Sequence, residues 1–259
     1  MKTPTFPELA HCITGGEMPR VWSLLVSLFG ELAQERKARI ASPLLHHLTD
    51  LIGIKPEATR VALHRLRKDG WIESHRIGRT SQYSLTASGQ RESAAASPRI
   101  YGTHSPEAVA WLVLTNPDAP YADKDWVRLG SSMFVARQKP PDAHIFSAPI
   151  GPDAPGWMRD QMIPKPLVDQ CRTLTVRLQM LCDHAPSFRS LDSRQVAALR
   201  VLVVHEWRRV ILKSPDLPDF VLPDAWLGPA CRAHVNHLLT ELPNKTTEDL
   251  AAMDTTSSV

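Results

Sequence analysis

The sequence has little cysteine and none of it paired: Cys12, Cys171, Cys182 and Cys231 stand far apart, with no C-x-x-C among them. That spacing excludes a disulfide framework or a zinc knuckle and suits a reducing compartment. No apolar run approaches the ~20 residues that a membrane span needs. MPRVWSLLVSLFG mimics a signal peptide, but it starts at Met18, lacks a small-residue cleavage motif and leads into the charged ELAQERKAR. A soluble cytoplasmic protein with no membrane contact is expected. G-x-S-x-G, Walker and G-x-G-x-x-G motifs are absent, as is any internal repeat. No catalytic residue, cofactor or metal ion is therefore expected.

What is present builds a folded chain. With 259 residues, 43% hydrophobic and 22% charged, it has material for two or three small units. The net charge is only +3, but it is unevenly placed. Between Arg60 and Arg79 stand Arg60, Arg65, Arg67, Lys68, Arg76 and Arg79 against Asp69 and Glu73, so the rest of the chain is slightly acidic. A local cationic patch is what a binding face looks like.

Residues 1–18, polar and broken by proline and glycine, read as a flexible arm. Val21, Leu24, Leu25, Leu28 and Leu32 share one helical face. SPLLHHLTDLIGI gives a second helix with Ser42 as N-cap, Pro43 at its first position and Gly53 at its end. KPEATRVALHRLRKDG gives a third, from Pro56 to Gly70. Three helices with short turns, the third basic, make a helix-turn-helix. WIESHRI and SQYSLT then alternate around GRT as a hairpin, with Trp71, Ile72, Ile77, Tyr83 and Leu85 free to face the helices. The sum is a winged helix over residues 19–90.

On the third helix, Thr59, Ala62, Leu63 and Leu66 cluster toward a core. Glu57, Val61, His64 and Lys68 then point outward, flanked by Arg60, Arg65 and Arg67. His64 and Lys68 suit base edges in a major groove, and flanking arginines suit phosphates. Arg76, Arg79 and Thr80 at the hairpin reach an adjacent backbone or minor groove. Double-stranded DNA is the expected partner.

Beyond residue 90, AVAWLVLT and HIFSAPI read as strands, and DKDWVRLGSSMFVA as a helix and then a strand. This is a small, proline-broken α/β unit over 91–160. From Pro166 the chain turns helical, over 161–250, with Asp192 or Ser193 capping the longest helix; 251–259 is a disordered tail. HEWRR (205–209) lacks the second histidine of a zinc protease. Three readings stay open for it. Trp207 packs while Arg208 or Arg209 pairs with Glu206; or His205, Arg208 and Arg209 hold an anionic effector; or the run makes a dimer contact. Cys231, His234 and His237 drift round their helix with no fourth ligand near, which argues against metal.

RVWSLLVSLFGEL, TRVALHRLRKDGWIESHRIGRTSQYSLTASG with the following RIYG, and LVVHEWRRVILKSPDLPDFVLPDAWLGPAC together resemble the PaaX-type repressors of aromatic-acid catabolism. The resemblance covers residues ~20–102 and ~198–232; the short, Pro-rich stretch from Trp111 to Leu181 departs from it. It implies an N-terminal winged helix, a central ferredoxin-like domain similar to Cas2 proteins and a helical C-terminal domain, α+β overall. It also implies a homodimer on a palindromic operator, released by an aryl-acyl-CoA such as phenylacetyl-CoA. Because Cas2-like nucleases carry an acid after their first strand, Asp118, Asp123 and Asp125 keep an alternative open: a metal-dependent nuclease or hydrolase with a DNA-targeting module. A ligand-independent DNA-binding adaptor is a third.

Overall fold

The structure, a computed structural model, describes residues 3–35, 37–102, 109–116, 123, 125–141 and 145–252. Its first element corrects the flexible arm. Helix α1 (Phe6–Thr14) buries Phe6, Leu9 and Ile13, which recur at helical spacing. Glu8 accepts the Thr5 backbone N–H at 2.6 Å, and Gly15 ends the helix at positive φ. Burial against the long C-terminal helices holds this segment in place despite its prolines and glycines.

Helix α2 (Val21–Leu32) follows, then β1 (Ile40–Ala41), α3 (Ser42–Leu51) and α4 (Pro56–Lys68). The N-cap of α3 is Ala41 and not Ser42, because Ala41 is still extended where it pairs across to β3. The hairpin is β2 (Ile72–Ile77) and β3 (Thr80–Leu85), joined by Gly78 and Arg79, with Gly78 at φ 59°. The antiparallel sheet runs β1-β3-β2. Ile72 and Leu85 are buried at its base, but Ile77 is 50% exposed, since the tip projects past the helices.

Helix α5 (Ala87–Tyr101) runs unbroken through the expected boundary at 90/91. Thr86 caps it by accepting the Gly89 N–H at 3.1 Å. A Cβ on Gly89 would lie 2.2 Å from the Trp71 carbonyl oxygen, so only glycine allows this approach. The central strands are β4 (Ala110–Leu114), β5 (Val127–Arg128), β6 (Met133–Ala136) and β7 (Phe146–Ile150), all antiparallel in the order β5-β6-β4-β7. The helix expected within DKDWVRLGSSMFVA is therefore strand β5, where Val127 packs on the main core and pairs with Val135. The opposite sheet face has its own small cluster around Val113 and Phe134, edged by Trp111 and Trp126.

The C-terminal part comprises α6 (Gly156–Arg159), α7 (Lys165–Asp183), α8 (Ser193–Ile211), α9 (Gly228–Glu241) and α10 (Thr247–Ala252). Asp192 caps α8 by accepting the Arg194 and Gln195 N–H groups, each at 2.8 Å. Helix α8 lies against α1, α2, α3, α5, α7 and α9, so one core runs continuously from Phe6 to Leu250. Among the described residues no helix is long and apolar enough to cross a membrane. Of the expected tail, 253–259 lies outside the described residues.

Candidate nucleic-acid interface

Helix α4 presents two faces of opposite character. Thr59, Ala62, Leu63 and Leu66 are buried against α2 and α3. The Thr59 hydroxyl donates to that of Thr49 at 3.1 Å, and Thr49 in turn bonds the Leu45 carbonyl, pinning α4 to α3. The C-terminus turns sharply at Gly70, φ 74°, with the Trp71 N–H on the Leu66 carbonyl at 2.9 Å. Lys68, Arg67 and Arg65 in the last turn suit the negative end of the helix dipole.

The other face is open. Glu57, Arg60, Val61, His64, Arg65, Arg67 and Lys68 are all exposed, Val61 at 70%. Arg60 lies 3.7 Å from Glu57 and Arg65 lies 3.6 Å from Asp69, surface pairs of little energetic weight. Arg65 also sits over Trp22, 5.9 Å from the ring, and Trp22 meets Trp71 edge-on at 6.2 Å. This aromatic support for Arg65 was missed at the sequence level, although Trp22 and Trp71 both border the basic helix. Among the described residues His64, Arg67 and Lys68 form no ion pair. Together they line an open groove between α4 and β2, with Ile72, Glu73 and Ser74 on its other wall.

The hairpin adds cations at its tip. Arg76 and Arg79 are exposed and Thr80 is half-buried; Arg76 Nε reaches the Gly78 carbonyl at 3.4 Å. Lower down, His75 bonds Ser84 at 3.0 Å and Ser84 donates to Glu73 at 3.3 Å, which stiffens the hairpin.

His205, Arg208 and Arg209 of HEWRR have different surroundings. His205 is fully buried, and its assignment as an effector contact is corrected: it faces α2, with Nδ1 3.1 Å from the Ser27 hydroxyl. The Ser27 hydroxyl also reaches the Ser23 carbonyl at 3.2 Å, and among the described residues Nε2 has no hydrogen-bond partner, with Glu206 Oε1 4.0 Å away. Trp207 is also fully buried and donates to the Ile100 carbonyl at 3.0 Å. Arg209 holds both oxygens of Glu206 at 3.1 Å, and burial pushes that carboxyl up despite the pair. Arg208 lies half-buried beside Tyr101 in a narrow cleft between α2 and α5.

Burial, then the charges of Arg209 and Arg208, hold the His205 imidazole down from 6.5 to about 3. Below about pH 6.5 the unfolded chain therefore binds a proton that the folded chain refuses. Stability is unaffected by this group above that pH and falls as pH drops toward 3. His205→Phe, which leaves Ser27 bonded to Ser23, is expected to flatten the acid limb of stability against pH. Urea titrations from pH 7 to 4 check it; parallel limbs in both proteins would contradict it.

Elsewhere, among the described residues, no three His, Cys, Asp or Glu side chains stand close enough to hold a metal ion. Cys231 lies 3.7 Å from Cys171, and His234 lies 3.9 Å from Cys182, so these two residues of α9 face α7, while His237 is exposed. The Asp125 N–H donates to the Asp123 carboxylate at 3.0 Å. Asp118 lies outside the described residues.

Residues 20–89 match the model for PaaX-like proteins, and residues 162–252 match that for the PaaX-like protein C-terminal domain. The transcriptional repressor PaaX of Escherichia coli (strain K12) is 30% identical over 241 residues, covering 81% of this chain and 76% of that one. In fold, an uncharacterised protein of Mycobacterium tuberculosis superposes with a TM-score of 0.51 at 17% identity, over 92% of this chain and all of the other. With the basic helix inside the first matched stretch and α7 to α9 inside the second, the chain belongs to the PaaX family of transcriptional repressors.

Proposed function

We propose that residues 21–86 act as a winged helix, with α4 in the major groove and the β2–β3 hairpin as the wing on the neighbouring backbone. The observation that carries this is the groove shared by His64, Arg67 and Lys68. These side chains, which form no ion pair among the described residues, stand on a helix whose opposite face is locked into the core. His64 and Lys68, one turn apart, read base edges. Arg60, Arg65, Arg67, Arg76 and Arg79 grip phosphates and fix register. Glu57, Val61 and Thr80 border the same face.

The protein acts as a cytoplasmic homodimer on a palindromic operator, because one reading helix covers only a half-site. It represses an aromatic-acid or related catabolic operon and is released by a small-molecule effector. For the effector, resemblance to the family supports an aryl-acyl-CoA such as phenylacetyl-CoA, bound somewhere other than His205. Release works by population shift, the ligand favouring an arrangement of the two reading helices that no longer matches the half-site spacing. The central sheet reads as an abbreviated ferredoxin-like unit. Its first and third strands, β4 and β6, are central as in a β-α-β-β-α-β plan, but no helix joins the strands among the described residues.

Salt-dependent titration tests the wing. Arg79→Ala is expected to weaken binding to operator and random duplex alike, and to lower the salt slope by about one unit, because a phosphate contact carries no sequence information. The same titration, read as two chains per operator, checks the dimer. An unchanged slope would remove the wing from the backbone.

A further inference from the structure

Where α5, the end of α8, the start of α9 and the segment after β6 meet, a cleft of about 220 Å³ opens. Three arginines from separate parts of the chain line it: Arg99, Arg137 and Arg232. Two are tied down by backbone. Arg99 Nη2 donates to the carbonyls of Ile211 and Ser214 at 2.5 and 2.6 Å. Arg232 Nη1 donates to the carbonyls of Arg99 and Gly102 at 3.0 and 2.7 Å, with its guanidinium over Trp207.

Among the described residues, Nε and Nη1 of Arg99 and Nε and Nη2 of Arg232 have no acceptor, and neither guanidinium forms an ion pair. Two acids stand near. Asp216 is taken by Arg137 at 2.5 Å, and Asp219 lines the same cleft. Burial lowers the pKa of both Arg99 and Arg232, with Asp216 acting against it at both, Asp125 at Arg99 and Asp219 at Arg232. The remaining wall is apolar, with Leu217, Leu222 and Trp226 all buried.

We infer that this cleft binds a small organic carboxylate, its anionic end on Arg99 and Arg232, with Arg137 at the mouth, and its apolar body against Leu217, Leu222 and Trp226. The Nε–Nη2 edge of Arg232 is a fork that matches a carboxylate geometrically, and Arg99 adds a single donor from Nε or Nη1. The volume is below the range of roughly 300–1,000 Å³ that holds a drug-sized ligand, which limits the body to one ring or a short chain. An occupant also fixes the C-terminal end of α5 against α9. At its other end α5 is tied to the end of the reading helix, where the Thr86 hydroxyl donates to the Gly70 carbonyl at 2.5 Å and its N–H to the Trp71 carbonyl at 3.0 Å. Occupancy therefore alters DNA affinity. This second part rests on the DNA-binding function proposed above; the binding site does not.

Calorimetry on the full-length protein tests the site with benzoate, hexanoate, inorganic phosphate and benzylamine. Benzoate or hexanoate is expected to bind in roughly the sub-millimolar to millimolar range proper to so few atoms. Phosphate should bind more weakly and benzylamine not at all. Arg232→Gln should weaken benzoate about tenfold or more, since it removes a charged donor. Arg137→Ala, at an exposed position that leaves the fold intact, should weaken it several-fold. No carboxylate binding, or binding unchanged in Arg137→Ala, overturns the site. Phosphate binding as well as benzoate overturns the carboxylate class and shows an anion hole alone. If benzoate binds but leaves affinity for the upstream duplex unchanged, the coupling falls and the site stands. A protein that binds benzoate but no DNA refutes the repressor function instead.

Discussion

Arg200→Met is expected to cost about 3–5 kcal/mol of folding stability, because it strands a buried carboxylate. Arg200 Nε donates to Glu31 Oε2 at 2.5 Å, and both side chains are almost wholly enclosed. The Tyr101 hydroxyl donates to the other Glu31 oxygen, and burial together with that carboxylate pushes the phenol well above its ordinary value. Arg200 Nη1 also holds the carbonyls of Leu239 and Leu242, at 2.9 and 2.7 Å, as α9 ends. One guanidinium thus ties α2, α8 and α9 together, and Glu31 extends the link to α5 through Tyr101. In methionine the volume is kept and the charge lost, so Glu31 remains desolvated without its partner. Adding Glu31→Gln should recover a substantial part, since the unpaired charge goes too. Urea unfolding followed by tryptophan fluorescence gives both values; a loss below about 1 kcal/mol for Arg200→Met would mean the pair is not formed.

The second large effect divides α4 along its length. His64→Ala and Lys68→Ala touch no core residue and should leave the melting temperature nearly unchanged. Each should still lose ~1–3 kcal/mol of discrimination between operator and scrambled duplex per base contact removed. Leu66→Ala should do the reverse. Leu66 is fully buried, and its cavity is expected to cost ~2–5 kcal/mol of stability. What correctly folded Leu66→Ala remains should discriminate normally, because its exposed face is intact.

The two faces of α4 were legible because a period of 3.6 survives where one side is core and the other water. Thr59, Ala62, Leu63 and Leu66 mark the buried side without ambiguity. Caps were legible where a side chain acts locally, as Asp192 does at α8. Helix α8 shows why His205 was misplaced. Packed by six other helices, it buries residues on most of its circumference, so a polar side chain on it need not face water. Helix α1 was lost for a different reason. Its nine residues give only three large apolar side chains, Phe6, Leu9 and Ile13, and Pro7 and Gly15 at its ends look like loop punctuation until a neighbour covers Leu9 and Ile13. Strand β1, two residues long, exists only through its pairing with Gln82 and Tyr83. The arginine cleft joins residues more than a hundred positions apart, a proximity that no local pattern carries.

The central claim, that the His64–Lys68 face of α4 reads DNA sequence, is tested most directly by a competition titration. Wild type, His64→Ala, Lys68→Ala and the double variant are titrated against the duplex upstream of the protein's own operon and a scrambled duplex of equal length, at one fixed salt concentration. The predicted result is a stepwise fall in discrimination, ~1–3 kcal/mol for each variant and near the sum for the double, with affinity for scrambled duplex little changed for His64→Ala. Full discrimination retained by the double variant would contradict the account and assign the groove to another surface.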